Sequence, residues 1–184
     1  MTTPKLHAGE VFPTLEVASL DGTVRDLSKP TGDNDWMLVV VYRGQHCPMC
    51  TRYLKALSPF VEQLASIGVD VAAVSGDSAE QLRIHQGKLG EPMQFPMFHG
   101  LTIEQMQALG LYISDPRSPK ETDHPFAEPG LFVVNGEGTL QVVDVSNNPF
   151  VRPEIGTLVR GLAWIRNPEN SYPIRGMRPY ADVG

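Results

Sequence analysis

Two stretches of the chain are apolar on nearly every position. Residues 36–42 (Trp-Met-Leu-Val-Val-Val-Tyr) and 69–75 (Val-Asp-Val-Ala-Ala-Val-Ser) lack the strict polar–apolar alternation of a half-exposed strand. Runs of this kind, rich in β-branched residues, predict central parallel strands covered on both faces. Between them the period changes. Leu54, Leu57, Val61 and Leu64 fall on one helical face, predicting a helix over about 48–67. Pro48 suits its first turn, Pro59 falls inside it and predicts a kink, and Gly68 closes it. After the second run, Asp77 or Ser78 caps a helix that Gly90 ends, with Glu80 or Gln81 completing a capping box.

The flanking segments are shorter. Residues 14–20 and 23–27 read as a hairpin turning at Asp21-Gly22, and residues 28–35 as a polar loop. Residues 95–98 hold a short strand at best, because of Pro96. Thr102 caps a short helix with Gln105 at the box position, and residues 114–129, rich in Pro, Ser and Asp, predict a long loop. Residues 131–134 and 139–145 form a second hairpin about Asn135-Gly136-Glu137-Gly138. Pro153 opens a last helix with Ile155, Leu158, Val159, Leu162 and Ile165 on one face, and Asn167-Pro168 stops it. Strands alternating with helices, then a hairpin, predict an α/β chain with a mixed central β-sheet flanked by helices on both faces. One domain over residues 1–166 is expected, followed by an extended tail over 167–184.

Composition adds exclusions. Apolar residues are 41% and charged residues 20% of 184, which suits a globular core. A net charge of −6 argues against nucleic acid or an anionic membrane as partner. No apolar run is long enough to span a bilayer, and residues 1–6 carry no apolar signal core, so a cytoplasmic protein is expected.

The two cysteines change the picture most. Cys47 and Cys50 are the chain's only ones, and they fall where the first apolar run hands over to a helix. A helix start offers unpaired N–H groups and partial positive charge, which lower a thiol's pKa. Dithiol–disulfide chemistry follows, with Cys47 exposed and nucleophilic and Cys50 more buried and resolving. Zinc is the alternative, but a tetrahedral site needs four ligands and there is no second Cys-x-x-Cys. The histidines His7, His85, His99 and His124 show no paired ligand spacing, and His46 is badly placed to chelate with Cys47. No metal and no cofactor are therefore expected. Two inert core thiols are the bland reading.

The stretch Val41-Tyr42-Arg43-Gly44-x-x-Cys47-Pro48-x-Cys50, with Leu54 and Leu57, resembles the peroxiredoxin-like branch of the AhpC/TSA (redoxin) family. Pro129-Gly130-Leu131-Phe132-Val133-Val134-Asn135-x-x-Gly138-x-Leu140 is similar to that family's late hairpin, and residues 147–155 to its link into the last helix. The resemblance covers about residues 5–166 and implies a thioredoxin-like fold. It also points to a homodimer, while the dithiol chemistry itself calls for an external dithiol reductant to recycle the pair. The departures matter. The family's fast peroxidases share a Pro-x-x-x-Thr/Ser-x-x-Cys motif, and here those two leading positions hold Val40 and Gly44. Their arginine before the Gly-Leu-Phe strand is Pro129 here, where thioredoxins carry a proline, usually cis, facing the redox pair. A cis Glu128–Pro129 bond is expected on that likeness.

Supporting roles stay open at this level. Arg43 either brings a guanidinium to Cys47 or is a surface arginine at a strand end. His46 either stabilises the thiolate when protonated or is an exposed loop residue. Arg152 is expected in a salt bridge at the start of the last helix rather than at the site. Asp70 is expected at an exposed strand start rather than serving Cys50, and Met49 offers an apolar contact for a peptide. The leading expectation is a thiol–disulfide oxidoreductase acting on a disulfide-containing protein. The alternatives are a thiol-dependent peroxidase, with Cys47 attacking a hydroperoxide and Cys50 resolving, and a non-catalytic binding protein of thioredoxin fold.

Overall fold

In the computed structural model, which describes residues 4–179, the two apolar runs are adjacent parallel strands at the centre of a mixed sheet. The elements in chain order are β1 (Glu16–Ala18), β2 (Val24–Asp26), β3 (Trp36–Val41), α1 (Pro48–Leu57), α2 (Val61–Ser66), β4 (Val69–Val74), α3 (Ala79–Leu89), β5 (Met97–Phe98) and α4 (Ile103–Ala108). Then come β6 (Ile113–Ser114), β7 (Phe126–Ala127), β8 (Gly130–Val134), β9 (Leu140–Val145) and α5 (Ile155–Arg166). The main sheet has five strands in the order β5-β4-β3-β8-β9. β3 pairs in parallel with β4, Leu38 opposite Val71, and antiparallel with β8, Leu38 opposite Val133.

Alternation along β3 divides the core in two. Leu38, Val40 and Tyr42 face a cluster with Leu54 and Leu57 of α1, Leu64 of α2, Leu82 and Leu89 of α3, and Val159 and Leu162 of α5. Met37, Val39 and Val41 face the other side, against Leu15, Val17 and Leu27 around the β1–β2 hairpin and Met106 of α4. Both faces of β3 are thus covered, which is why its sequence shows no alternation. Each fully buried leucine contributes about 1.5–3 kcal/mol.

Local signals are realised closely. Pro59 breaks the long helical stretch, inserting a single tight turn over Ser58–Phe60 between α1 and α2. Ser78, not Asp77, caps α3 and shares a full capping box with Gln81, and Thr102 does the same with Gln105 on α4. Glu154, rather than Pro153, begins the last helix, its carboxylate accepting from the amides of Gly156 and Thr157. The segment read as a loop over 114–129 holds a small antiparallel pair, Ile113 opposite Ala127 and Ser114 opposite Phe126. Met177 of the tail packs where a Cβ on Gly9 would stand, 2.7 Å from the methionine methyl. Among the described residues no helix is long and apolar enough to cross a membrane.

Candidate active site

β3 ends at Val41, and six residues later the chain turns into α1 with Cys47 as its N-cap. Cys47 has extended backbone angles (φ −103°, ψ 99°), and its Sγ accepts the Cys50 amide at 3.2 Å. The sulfur thus occupies the place a serine or asparagine oxygen usually takes at a helix start. Pro48 fills the first helical position without losing a hydrogen bond. The turn into the helix closes through the Cys47 amide, which donates to the Gly44 carbonyl at 3.1 Å. Thr51 donates from its amide to the Cys47 carbonyl at 3.1 Å, and its hydroxyl pairs with His85 Nε2 at 2.9 Å.

Neither cysteine is in a disulfide. The expected exposed Cys47 is corrected: it is 2% exposed, and Cys50 is fully enclosed. Residues distant in sequence close around the helix start, Arg152 against Cys50 and Phe126 against His46, so position at a turn does not translate into accessibility. The two thiols are pushed in opposite directions. A hydrogen bond from the Cys50 thiol, then the Cys50 amide and the charges of Arg43 and Arg152, lower the Cys47 pKa from 9.0 to about 6, against its burial. The same thiol–thiolate hydrogen bond, and burial, push Cys50 strongly upward. These opposite shifts favour the thiolate at Cys47 and the neutral thiol at Cys50.

Arg152 is the residue that the sequence reading misplaced. Instead of pairing at the start of α5, its Nη2 donates to Cys50 Sγ at 3.4 Å. Nε and Nη2 both donate to the Pro149 carbonyl, at 3.0 and 2.6 Å, and the guanidinium lies 4.6 Å from the centre of the Tyr53 ring. Tyr53 in turn donates to the Pro153 carbonyl at 2.9 Å. Only its place just before the last helix, where the fold returns to α1, hinted at this reach.

The remaining candidates lie on the other side of the helix start. Arg43 is neither a surface residue nor free. Its Nε lies 3.3 Å from Glu128 and Nη2 3.6 Å from Glu121, and its guanidinium stacks over Phe126 at 4.6 Å. His46 also packs on Phe126, at 4.6 Å between ring centres. Burial, followed by the Arg43 charge, lowers its pKa to about 4. The protonated His46 considered from sequence is thus corrected to a neutral ring at neutral pH. Pro129 is corrected too: among the described residues no peptide bond is cis. The bond keeps the ordinary trans form of X–Pro, with the Glu128 amide donating to the Tyr112 carbonyl and the Ser146 amide to the Pro129 carbonyl beside it. Asp70 stays away from Cys50 and instead accepts from Arg25 at 2.6 Å and from Thr31 at 2.7 and 2.9 Å.

Two further titratable groups are buried behind the helix start. His85 stacks on Tyr42 at 5.3 Å, and burial lowers its pKa to about 4. Asp77 is fully buried in the link between β4 and α3, and burial raises its pKa. Among the described residues no group of three or more His, Cys, Asp and Glu side chains is placed to hold a metal ion.

Comparison with known proteins bears on the fold. The fold is similar to that of peroxiredoxin 6 from Arenicola marina, at 18% identity and a TM-score of 0.74, covering 89% of this chain and 75% of that one. It is also similar to AhpC from Mycobacterium bovis, at 17% identity and a TM-score of 0.71, covering 95% and 99%. A peroxiredoxin-like protein from Aquifex aeolicus is similar at 18% identity and a TM-score of 0.67, covering 87% and 88%. No curated protein matches the sequence. These likenesses establish the thioredoxin-like fold of the peroxiredoxins. Residues 8–143 match the AhpC/TSA family, and on that match across most of its length the chain belongs to the AhpC/TSA family.

Proposed function

We propose that this thiol-dependent oxidoreductase reduces small hydroperoxides through Cys47, with Cys50 as the resolving thiol. In the first step the Cys47 thiolate attacks the terminal peroxide oxygen. The O–O bond breaks, the sulfur becomes a sulfenic acid, and the departing alkoxide takes a proton to leave as alcohol, or as water from hydrogen peroxide. In the second step Cys50 attacks the Cys47 sulfur, displaces water and closes the Cys47–Cys50 disulfide. An external dithiol then returns both cysteines to thiols and is itself oxidised. Arg152 acts at the second step, since a guanidinium 3.4 Å from Cys50 Sγ favours the thiolate that must attack.

The observation that carries this reading is the enclosure of Cys47. Cys47 is 2% exposed, which leaves no room for the two backbones that a disulfide in a folded protein brings, whereas a small hydroperoxide asks for a far smaller opening. A second reading, exchange with protein disulfides, draws support from Gly44 and Pro129, which stand where the peroxidases carry a hydroxyl and an arginine. Reduced protein mixed with hydrogen peroxide and, separately, with a protein disulfide separates the two. The proposal expects faster oxidation of the pair by peroxide. Faster oxidation by the protein disulfide transfers the assignment to exchange, and inertness to both defeats both.

A further inference from the structure

We propose that Asp77 is a positioning residue for Cys47: its buried carboxylate holds the turn over 44–47 through the Gln45 amide and so sets where the Cys47 sulfur stands. Asp77 lies next to the cap of α3 but takes no part in capping, which Ser78 and Gln81 complete between themselves. Its side chain points inward instead. Oδ2 accepts the Gln45 amide at 2.7 Å, and Oδ1 faces His124 Nε2 at 3.5 Å without a hydrogen bond. A fully buried carboxylate with one amide donor is costly, and nothing in α3 requires it. The turn before Cys47 is what uses it.

The turn is shaped to the carboxylate in return. Gly44 has φ +139°, and a Cβ built there would stand 2.5 Å from Asp77 Oδ1. Position 44 therefore excludes a side chain twice over, by backbone angle and by the acid beneath it. The Gly44 carbonyl then accepts the Cys47 amide. Asp77 is itself fixed, its amide donating to Ser75 Oγ at 3.3 Å and its carbonyl accepting from Gly100 at 2.8 Å. On the outer side, Lys88 Nζ donates to the carbonyl of Gln45 at 3.0 Å and to its side-chain oxygen. Gln45 is thus held from beneath and above, two residues before the nucleophile.

This inference rests on Cys47 being the low-pKa thiol, and its test reads that thiol directly without any peroxide, so its failure is separable from failure of the proposed activity. The ultraviolet absorbance of the thiolate is followed against pH in the full chain and in Asp77→Asn and Asp77→Ala. Asparagine keeps an oxygen acceptor in the same volume and is expected to titrate within a few tenths of a unit of the unaltered protein. Alanine frees the turn and is expected to raise the midpoint by about one unit, a tenfold loss of thiolate at acidic pH. An alanine variant that folds and titrates unchanged overturns the inference, and so does an asparagine variant as perturbed as alanine. Where alanine fails to fold, hydrogen exchange of the Gln45 amide in the unaltered protein decides together with asparagine. A protected amide and a preserved midpoint support the pin, and an amide exchanging as if free overturns it.

Discussion

Cys50→Ala tests the electrostatics of the pair most sharply. Cys47 falls from 9.0 to about 6, with the hydrogen bond from the Cys50 thiol as the largest cause. A hydrogen bond to a charged group contributes about 1.5–3 kcal/mol, and about 1.4 kcal/mol moves a pKa by one unit. Losing the thiol should therefore raise the Cys47 midpoint by about one to two units. It should not restore the ordinary value, because the residue 50 amide at 3.2 Å and the charges of Arg43 and Arg152 remain. Removing one sulfur from a fully enclosed site costs about 1–2 kcal/mol of stability, so the fold should survive. The assay is thiolate absorbance against pH, with iodoacetamide labelling of Cys47 as a second readout and circular dichroism as a control on folding. Cys50→Ser, which keeps a hydroxyl donor, should move the midpoint less than alanine does. An unmoved midpoint in Cys50→Ala would refute the assignment of the shift to the partner thiol. A rise to the ordinary value would refute the contributions of the helix start and the arginines.

Three further outcomes are expected. Arg152→Met removes the donor 3.4 Å from Cys50 Sγ and should slow closure of the disulfide by about tenfold or more, so that dimedone traps more sulfenic acid on Cys47; equal trapping in both proteins contradicts the role. Gly44→Ala sets a Cβ against Asp77 at a φ of +139° and should cost about 1–3 kcal/mol or more, read as a lowered midpoint in urea. For reduced protein, the depressed Cys47 pKa gives stability that is fully present above the ordinary thiol value of 9.0 and is lost as pH falls through about 6. The stability difference between the unaltered protein and Cys47→Ser should therefore grow across that window, and a flat difference is the contrary result.

What was legible in the sequence was what neighbouring residues decide among themselves. β3 and β4 show in their own unbroken apolar runs, and the break at Pro59, the two capping boxes and the hairpin at 135–138 rest on contacts within a few positions. The site divides along the same line. The place of the Cys47–Cys50 pair at a strand-to-helix turn is local and was readable. Its surroundings are not local: Arg152 meets Cys50 across 102 positions, and Asp77 meets Gln45 across 32. The burial of Cys47 among residues remote in sequence is likewise encoded by no spacing near residue 47. The cis bond expected at Pro129 rested on a likeness at one residue, and the bond is trans. Asp77 carries the local signal of a helix start, and its contact with Gln45 has no local signal.

The central claim is that Cys47 takes the oxidising equivalent and Cys50 resolves it. Reduced protein and Cys50→Ser, each treated with one equivalent of hydrogen peroxide and examined by peptide mass spectrometry, test it most directly. The unaltered protein should lose two hydrogens and yield a Cys47–Cys50 linked peptide, and the serine variant should gain one oxygen, trapped by dimedone at Cys47. No oxidation of the pair, or a Cys47→Ser variant that is oxidised at Cys50 as fast as Cys50→Ser is at Cys47, would contradict the account.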